Sequence, residues 1–512
     1  MKPHSLLLTS FSVLLCGTVA MPILAKEGTK APPKAQAVSP AEEGAARLRS
    51  LQIESGKIVF VGHIAAGEQP ARIVVNLLLQ PAKGSNIKVE AWLPDGDKWN
   101  GRFIGLGNGG SAGKINPDSL AGPLSQGFAV ATTDMGTAPN SDSGIGNREV
   151  WKDFGYRATH LMTVAAKDLI KAYYGKAPEY SYFNGGSTGG QQALQEAQRY
   201  PEDYDGIVAN VPAHCRTPLH AYFLWNDQIL RACPFTEKQE KAVIAAGNEY
   251  MASRELPQTA GKMVSDPRCT AQDIEAVIAL ARTKDATLTD QHADAMRKLF
   301  SGPKHAVTGE RIFCGIPFGA DFKSAHGHLY LFQWVFGKEK DLTTIDFGKD
   351  IDTYTAELAP YLNAENADLS AFEARGGKIL MITGSADSVV PYHATLDYYE
   401  RVVEHFGSVE KAQSFARLYF VPGMAHGPGP GINKLPSMLK LVMDWREKNA
   451  APGKIQAQRI VDGRTAIEIP LYPYPAKAAV DAATGGKGFV EVAGPRGGVE
   501  RVAERFRGKA AE

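Results

Sequence analysis

Hydrophobic and polar positions along the chain follow two periodicities, one typical of strands and one of helices. Short apolar runs rich in β-branched and aromatic residues predict strands at 57–63, 71–79, 87–93, 102–107, 128–134, 181–186, 203–213, 376–387 and 415–427. Apolar residues at helical spacing predict helices at 156–174, 191–199, 391–406 and 436–448. Strands that alternate with helices and are joined by short glycine-bearing loops favour an α/β architecture with a mostly parallel sheet.

The strand and helix alternation is interrupted between residues 214 and 347, where the pattern is largely helical. We expect a first part of an α/β core at 44–213, an inserted helical cap at 214–347 and a second core part at 348–477. The aromatic run HLYLFQWVF at 328–336 could overhang a site on the sheet. The same residues could equally form the core of the cap itself, and both alternatives stay open.

The two ends of the chain differ from the rest in composition. Lys2, the apolar run at 6–15 and the small residue Ala25 predict a cleavable secretory signal at 1–25, and hence a periplasmic or secreted protein. The apolar run is too short for a comfortable membrane span. Residues 26–43 predict a mobile lead-in, and the glycine- and charge-rich residues 478–512 predict a poorly ordered tail.

Overall composition excludes some classes of partner. The 512 residues are 44% hydrophobic and 22% charged, with a formal net charge of +1, so we expect neither nucleic acid nor an anionic membrane as a partner. Removal of the signal would leave four cysteines, Cys215, Cys233, Cys269 and Cys314. In an exported protein these could form two disulfide bonds in three possible pairings, and sequence does not choose among them.

The segment at 181–200 predicts a strand, a sharp turn and a helix, with Ser187 at the apex of the turn. It contains Gly-Gly-Ser-Thr-Gly at 185–189, which matches the G-x-S-x-G nucleophile elbow. Glycines are needed there because a serine on a strained turn exposes its hydroxyl, and small neighbours let an ester carbonyl approach. A glycine-rich turn with a chance serine is the alternative.

Two further candidates, Asp387 and His426, each follow a predicted strand. The order Ser187, Asp387, His426 is that of α/β-hydrolases, which is therefore the expected fold. In that chemistry His426 takes the proton of Ser187, and Asp387 holds the imidazole tautomer and stabilises its cation. A purely structural role for His426 is the alternative, and Asp397, inside the following helix, is a weaker candidate for the acid.

The loop GLGNGGSAG at 105–113 offers backbone donors for an oxyanion hole. We expect the Thr188 N–H to act there with the N–H of Gly109 or Gly110. The same loop spells G-x-G-x-x-G, but Asn116 and Pro117 follow instead of a helix, so no dinucleotide cofactor is expected. His326 and His328 lack further ligands at suitable spacing, so no metal is expected either.

Four segments, at 101–113, 151–175, 181–213 and 422–430, resemble the tannase and feruloyl esterase family of secreted α/β-hydrolases. The resemblance implies hydrolysis of aromatic-acid esters such as hydroxycinnamates, gallates or terephthalate monoesters. It also implies Ser187, Asp387 and His426 as a triad, with Thr188, Gly109 and Gly110 as oxyanion donors. A catalytically silent protein that binds aromatic ligands is the alternative function.

The chain departs from the family pattern in two places. Members usually carry one cysteine before the serine and another after the histidine, joined as a disulfide. Here Gly186 and Gly427 stand in those positions, which predicts a softer His426 loop. Members also often carry a calcium loop in the cap, but the corresponding stretch at 261–269 has only Asp266 as a carboxylate, so no such calcium site is expected.

Overall fold

The computed structural model describes residues 40–254, 270–427, 429, 431–484, 488–494, 496–498 and 501–508. The predicted signal at 1–25, the lead-in up to residue 39, Cys269 and the stretch examined for calcium at 261–269 lie outside these residues. One compact unit spans Pro40–Glu512.

Thirteen strands lie in the described part of the chain. They are β1 (Gly56–Ile64), β2 (Arg72–Leu79), β3 (Ile87–Pro94), β4 (Arg102–Leu106), β5 (Ala129–Thr133), β6 (Tyr180–Gly186), β7 (Gly206–Asn210), β8 (Lys378–Gly384), β9 (Ala416–Val421), β10 (Ile455–Val461), β11 (Arg464–Leu471), β12 (Lys477–Asp481) and β13 (Gly488–Val492).

Sixteen α-helices lie in the same described residues. They are α1 (Pro40–Arg49), α2 (Asp118–Ser125), α3 (Arg148–Lys152), α4 (Ala158–Tyr174), α5 (Thr188–Arg199), α6 (Arg216–Ala232), α7 (Glu237–Arg254), α8 (Ala271–Lys284), α9 (Asp290–Ser301), α10 (Tyr330–Phe336), α11 (Lys349–Leu362), α12 (Ser370–Ala374), α13 (Tyr392–Phe406), α14 (Val409–Gln413), α15 (Met438–Lys448) and α16 (Glu504–Arg507).

A single large sheet organises the fold. Nine of the described strands form it in the order β1-β2-β3-β5-β4-β6-β7-β8-β9. The strands from β5 to β9 in this order are parallel, whereas β1, β2, β3 and β5 pair antiparallel. The mostly parallel sheet expected from the sequence is therefore present, and the carboxyl ends of β6, β8 and β9 lie along one edge.

The central strands are buried on both faces, which explains why they read as continuous apolar runs. Phe183 and Ile207 belong to a core formed mainly with α4, α5, α6, α11 and α13. Tyr182 and Val208 belong to a second core with α2, α15 and the hairpin β10–β11. The sheet thus separates two hydrophobic layers, each closed by helices.

The residues between β7 and β8 contain α6 to α12 and include the segment predicted as a cap. We call residues 214–347 the cap segment. The sequence left open whether the aromatic run at 328–336 lies over a site on the sheet or forms a core, and its residues differ in this respect. Phe332 and Trp334 are buried in the main core, whereas the Tyr330 hydroxyl accepts a hydrogen bond from Arg216.

Several local features differ from the sequence-based prediction. The tail at 478–512 is not uniformly disordered, because β12 pairs with β13 and α16 places Phe506 in the main core. The lead-in predicted at 26–43 includes the first turn of α1. Pro436 lies before α15 rather than in it, because the Ser437 hydroxyl accepts from the Lys440 N–H and caps that helix.

The cysteines of the described residues do not form the two disulfide bonds that remained possible from the sequence. Cys215 and Cys233 are buried free thiols. Burial raises the pKa of both, because a thiolate is disfavoured away from water. Within the described ranges, no helix combines the length and apolarity that a bilayer crossing requires.

The packing of α16 generates a test of stability. Phe506 is 1% exposed, and the Asn363 side-chain amide donates to the Phe506 and Arg507 carbonyls at 3.2 and 2.8 Å. We expect Phe506→Ala to lower the free energy of unfolding by about 3–5 kcal/mol, because it leaves a cavity in the main core.

Urea denaturation measures this change, and Val461→Ala is a suitable control because Val461 is 41% exposed. Equal stability of the two variants would mean that α16 does not contribute to the core.

Candidate active site

The turn between β6 and α5 holds Ser187 in a strained backbone conformation. Its φ and ψ angles are 58° and −117°, which side-chain-bearing residues rarely adopt. The turn is fixed by neighbouring backbone, because the Ser187 N–H donates to the Asn210 carbonyl at 2.9 Å and the Ala213 N–H donates to the Ser187 carbonyl at 3.0 Å. The end of β7 therefore holds the predicted elbow in place.

Close approach of glycine backbones makes room for this turn. A Cβ on Gly107 would lie 2.5 Å from the Gly189 Cα and 2.9 Å from the Gly185 Cα. A Cβ on Gly185 would lie 2.3 Å from the Gly189 carbonyl oxygen. The Gly189 N–H also donates to the Asn108 carbonyl at 2.8 Å. The loop after β4 thus lies directly against the first turn of α5, at a distance that no larger residue permits.

Asp387 and His426 form a hydrogen-bonded pair beyond the ends of β8 and β9. His426 Nδ1 lies 2.8 Å from Asp387 Oδ2. The Asp387 side chain is fully buried, and its Oδ1 accepts from the Val389 and Val390 N–H groups at 2.9 and 2.8 Å. These bonds fix the orientation of the carboxylate, which in turn orients the ring and leaves Nε2 for other chemistry.

The structure thus joins two of the three predicted residues directly and places the third on the same sheet edge. Among the described residues, the Ser187 hydroxyl has no hydrogen-bond partner. Catalytic hydrogen bonds commonly tighten only when substrate binds. Asp397, the alternative acid, instead lies within 3.7 Å of Arg401 and Arg501 on α13 and the C-terminal segment, away from His426.

Backbone donors are available beside Ser187. The N–H groups of Thr188, Gly109 and Gly110 have no backbone acceptor among the described residues. The Thr188 hydroxyl donates to the Gly110 carbonyl at 2.7 Å and ties the loop to the elbow. Gly110 has a φ of +56°, a conformation that favours glycine. The loop therefore supports the elbow through this hydrogen bond.

One cap residue that sequence reasoning missed reaches this region. Arg216, the first residue of α6, donates to the Thr188 hydroxyl at 3.0 Å and to the Gly110 carbonyl at 3.1 Å. It is 3% exposed. The sequence signal that could have found Arg216 was a cation shortly after β7, near the carboxyl edge of the sheet.

Other cap residues contact the loop that carries Asp387. The Tyr222 hydroxyl donates to the Ser388 carbonyl at 2.8 Å, and the Ser388 hydroxyl donates to Asp321 at 3.2 Å. His328 lies near Arg216 and His426, and partial burial together with those charges lowers its pKa. The cap segment therefore borders the site directly.

Among the described residues, His326 and His328 do not belong to a group of three or more potential metal ligands. His326 Nδ1 lies 3.5 Å from Asp227 Oδ1, and His328 packs on Phe223 with ring centroids 4.7 Å apart. A different group of ligand atoms, from His160, Glu196 and Asp203, lies within 4.8 Å near the far end of α5.

That second group consists of a hydrogen-bonded pair and a buried carboxyl group. His160 Nδ1 lies 2.7 Å from Asp203 Oδ2, and the ring stacks on Tyr200 at 3.8 Å. Burial, then the neighbouring Asp203 charge, hold the pKa of Glu196 well above its usual range. The His160–Asp203 hydrogen bond and the stacked Tyr200 ring support a structural role for this group.

Comparison with known proteins decides the family. A sequence model of the family "Tannase and feruloyl esterase" matches residues 72–341 and 337–488. The chain belongs to the tannase and feruloyl esterase family. It is a carboxylic ester hydrolase, as the family resemblance implied, with the α/β-hydrolase fold.

Relatives of this family member come from bacteria and fungi. An uncharacterized esterase of Xanthomonas campestris is 30% identical over 487 residues, which cover 82% of this chain and 84% of that protein. Feruloyl esterase B of Aspergillus niger is 29% identical over 421 residues, covering 76% and 79% of the two chains.

Solved structures show the same fold. Feruloyl esterase B of Aspergillus oryzae superposes with a TM-score of 0.73 at 24% identity, covering 88% of this esterase and 100% of the other chain. A tannin acyl hydrolase of Aspergillus niger gives a TM-score of 0.71 at 18% identity, covering 88% and 94%.

The glycine contacts at the elbow lead to a prediction for this esterase. We expect Gly107→Ala to lower the free energy of unfolding by about 1–3 kcal/mol and to reduce ester hydrolysis, because the new methyl group forces backbones apart. Gly122→Ala is the matched control, since a Cβ there meets nothing within 4 Å.

Chemical denaturation and an esterase assay on both variants provide the comparison. A Gly107→Ala protein as stable and active as the Gly122→Ala protein would contradict the proposed close approach.

Proposed function

We propose that this esterase is a serine hydrolase that cleaves esters of aromatic acids through an acyl-enzyme, with Ser187 as nucleophile. The observation that carries the proposal is the buried Asp387 carboxylate hydrogen-bonded to His426 Nδ1. Ser187, in a strained turn at the same sheet edge, supplies the hydroxyl such a pair would activate.

The proposed reaction has two halves. His426 Nε2 takes the Ser187 proton as the hydroxyl attacks the ester carbonyl, and the resulting imidazolium is stabilised by Asp387. The tetrahedral oxyanion binds the Thr188 N–H and that of Gly109 or Gly110. His426 then protonates the leaving alcohol. Water attacks the acyl-enzyme by the same route in reverse and releases the acid.

An aromatic acyl group is the substrate class that the surroundings favour. One ring of the cap segment, His328, lies near both Arg216 and His426. It belongs to a series of four rings in contact, His328, Phe223, His220 and Tyr330. Such rings stack favourably on a planar aromatic acid. The relatives named feruloyl esterase and tannin acyl hydrolase support the same class. The predicted signal at 1–25 adds the expectation that the enzyme acts outside the cytoplasm.

Removal of the nucleophile tests the mechanism. We expect Ser187→Ala to abolish hydrolysis of methyl ferulate and labelling by a fluorophosphonate, because the substitution removes the proposed nucleophile. We expect Asp387→Asn to lower kcat about 10⁴-fold, since the imidazole then adopts the wrong tautomer.

A Ser187→Ala protein with the parent rate would overturn the serine mechanism. Ligand binding by the parent without turnover or labelling would instead indicate a silent binding protein. A kcat/KM panel of methyl ferulate, methyl caffeate, methyl gallate and a terephthalate monoester, against phenyl acetate, tests the aromatic acyl preference.

The two glycines that replace the family cysteines suggest a gain-of-stability test. A Cβ on Gly427 meets nothing within 4 Å, and one on Gly186 meets nothing closer than 3.6 Å. If Ser187 and His426 act together, their neighbours are close enough to be joined. We expect Gly186→Cys with Gly427→Cys to form a disulfide and raise stability by about 2–4 kcal/mol.

Thiol titration and thermal melting with and without reductant measure the result, and each single variant is the control. If the oxidised double variant has two more titratable thiols than the parent protein, the proposed proximity of residues 186 and 427 is contradicted.

A further inference from the structure

Arg216 is a buried cation whose described hydrogen-bond partners are all neutral. It donates to the Thr188 hydroxyl, the Gly110 carbonyl and the Tyr330 hydroxyl. Its Nε is buried and has no partner among the described residues. Its guanidinium also lies over the Phe154 ring, 5.2 Å from the centroid. No carboxylate of the described chain forms an ion pair with it.

This placement costs free energy in two ways. A charge removed from water without a counter-ion is unfavourable, because neutral hydrogen bonds only partly replace its hydration. Arg216 is also the first residue of α6, where the free N–H groups carry partial positive charge and disfavour a cation. A neutral side chain could hold the same carbonyl and hydroxyl at lower cost.

The groups that Arg216 holds are those of the proposed oxyanion hole. Gly110 belongs to the loop that offers a backbone donor, and Thr188 carries the other donor. Both are fastened to each other by the Thr188 hydroxyl and to Arg216 by its two terminal nitrogens. One side chain thus contacts both halves of the proposed oxyanion hole.

We propose that Arg216 is a positioning residue of the oxyanion hole, whose charge is satisfied only when the tetrahedral oxyanion forms. This inference rests on the proposed serine mechanism. The fork of the guanidinium holds the loop and the elbow so that their N–H groups face the reacting carbonyl. The uncompensated positive charge behind them favours the anionic intermediate over the neutral ester.

The variants separate charge from shape. Arg216→Gln keeps donor groups and removes the charge, whereas Arg216→Lys keeps the charge and loses the fork. We expect Arg216→Gln to lower kcat about 10- to 100-fold on methyl ferulate, with KM changed less than about threefold, because the lost interaction exists only with the oxyanion. We expect the decrease in log kcat of Arg216→Lys to be about half that of Arg216→Gln or less.

Binding of two inhibitors gives a readout that a merely structural role would not move. An arylboronic acid forms a tetrahedral anion on a catalytic serine, whereas the carboxamide with the same aryl group stays neutral and planar. We expect Arg216→Gln to lower the affinity for the boronic acid by the same factor as it lowers kcat/KM. We expect the affinity for the carboxamide to fall by less than about threefold.

Arg199→Gln is the control for loss of an arginine. Arg199 also donates to neutral groups, the Gln195 side chain and the Pro360 carbonyl, both at 2.8 Å, near the far end of α5. We expect it to keep the parental boronic acid affinity. Thermal melting of all variants checks that they fold.

Three results would overturn the inference. Equal loss of boronic acid and amide affinity would make Arg216 a structural residue. Identical kinetics of the Gln and Lys variants would show that charge is irrelevant. A loss confined to substrates that bear a free carboxylate would make Arg216 a substrate-binding residue.

Two controls keep the test decisive. If Arg216→Gln does not fold, the Arg216→Lys variant alone tests the inference. This variant keeps the charge, so a loss of boronic acid affinity beyond about tenfold in the folded variant would contradict a role for charge. If Ser187→Ala stays active, the serine mechanism itself has failed, and that result does not depend on Arg216.

Discussion

The contact between glycine backbones at residues 107, 185 and 189 is the constraint on which the site depends. It lets the loop after β4 lie against the first turn of α5, and that proximity brings two separate sets of backbone donors to one point. Ser187 can hold its strained φ of 58° because the end of β7 and this loop restrain it from both sides. These glycines are held by close backbone contacts, so the turn is rigid although glycine itself is flexible.

The pairing of His426 with Asp387 depends on a second, electrostatic constraint. Two backbone N–H groups from Val389 and Val390 satisfy one oxygen of the carboxylate and leave the other for the imidazole. The buried carboxylate is stabilised because both of its oxygens take part in hydrogen bonds. The chain achieves this orientation without the disulfide that the family usually places beside the serine and histidine.

Much of the fold and site could be predicted from the sequence, because the signals are local. Strand β6, the glycines around Ser187 and the acidic residue after β8 all follow from short stretches read by themselves. Arg216 could not be assigned in this way, since its meaning depends on the neutral groups that surround it in space. Phe506 was missed for a similar reason, because a short apolar segment in a charged tail reveals its packing partner only in three dimensions.

The cap segment follows β7, and the chain later returns to the sheet at β8. The two connections to the sheet therefore lie beside the candidate active site. Residues such as Tyr222 and His328 border the site, while the main-chain bonds of the elbow come from β7 and the loop after β4. Under the proposed mechanism, exchange of the segment between relatives would change the residues beside the bound acid and leave the proposed triad in place. Arg216 would have to be kept in such an exchange, because this first residue of α6 contacts Thr188 and Gly110 of the core.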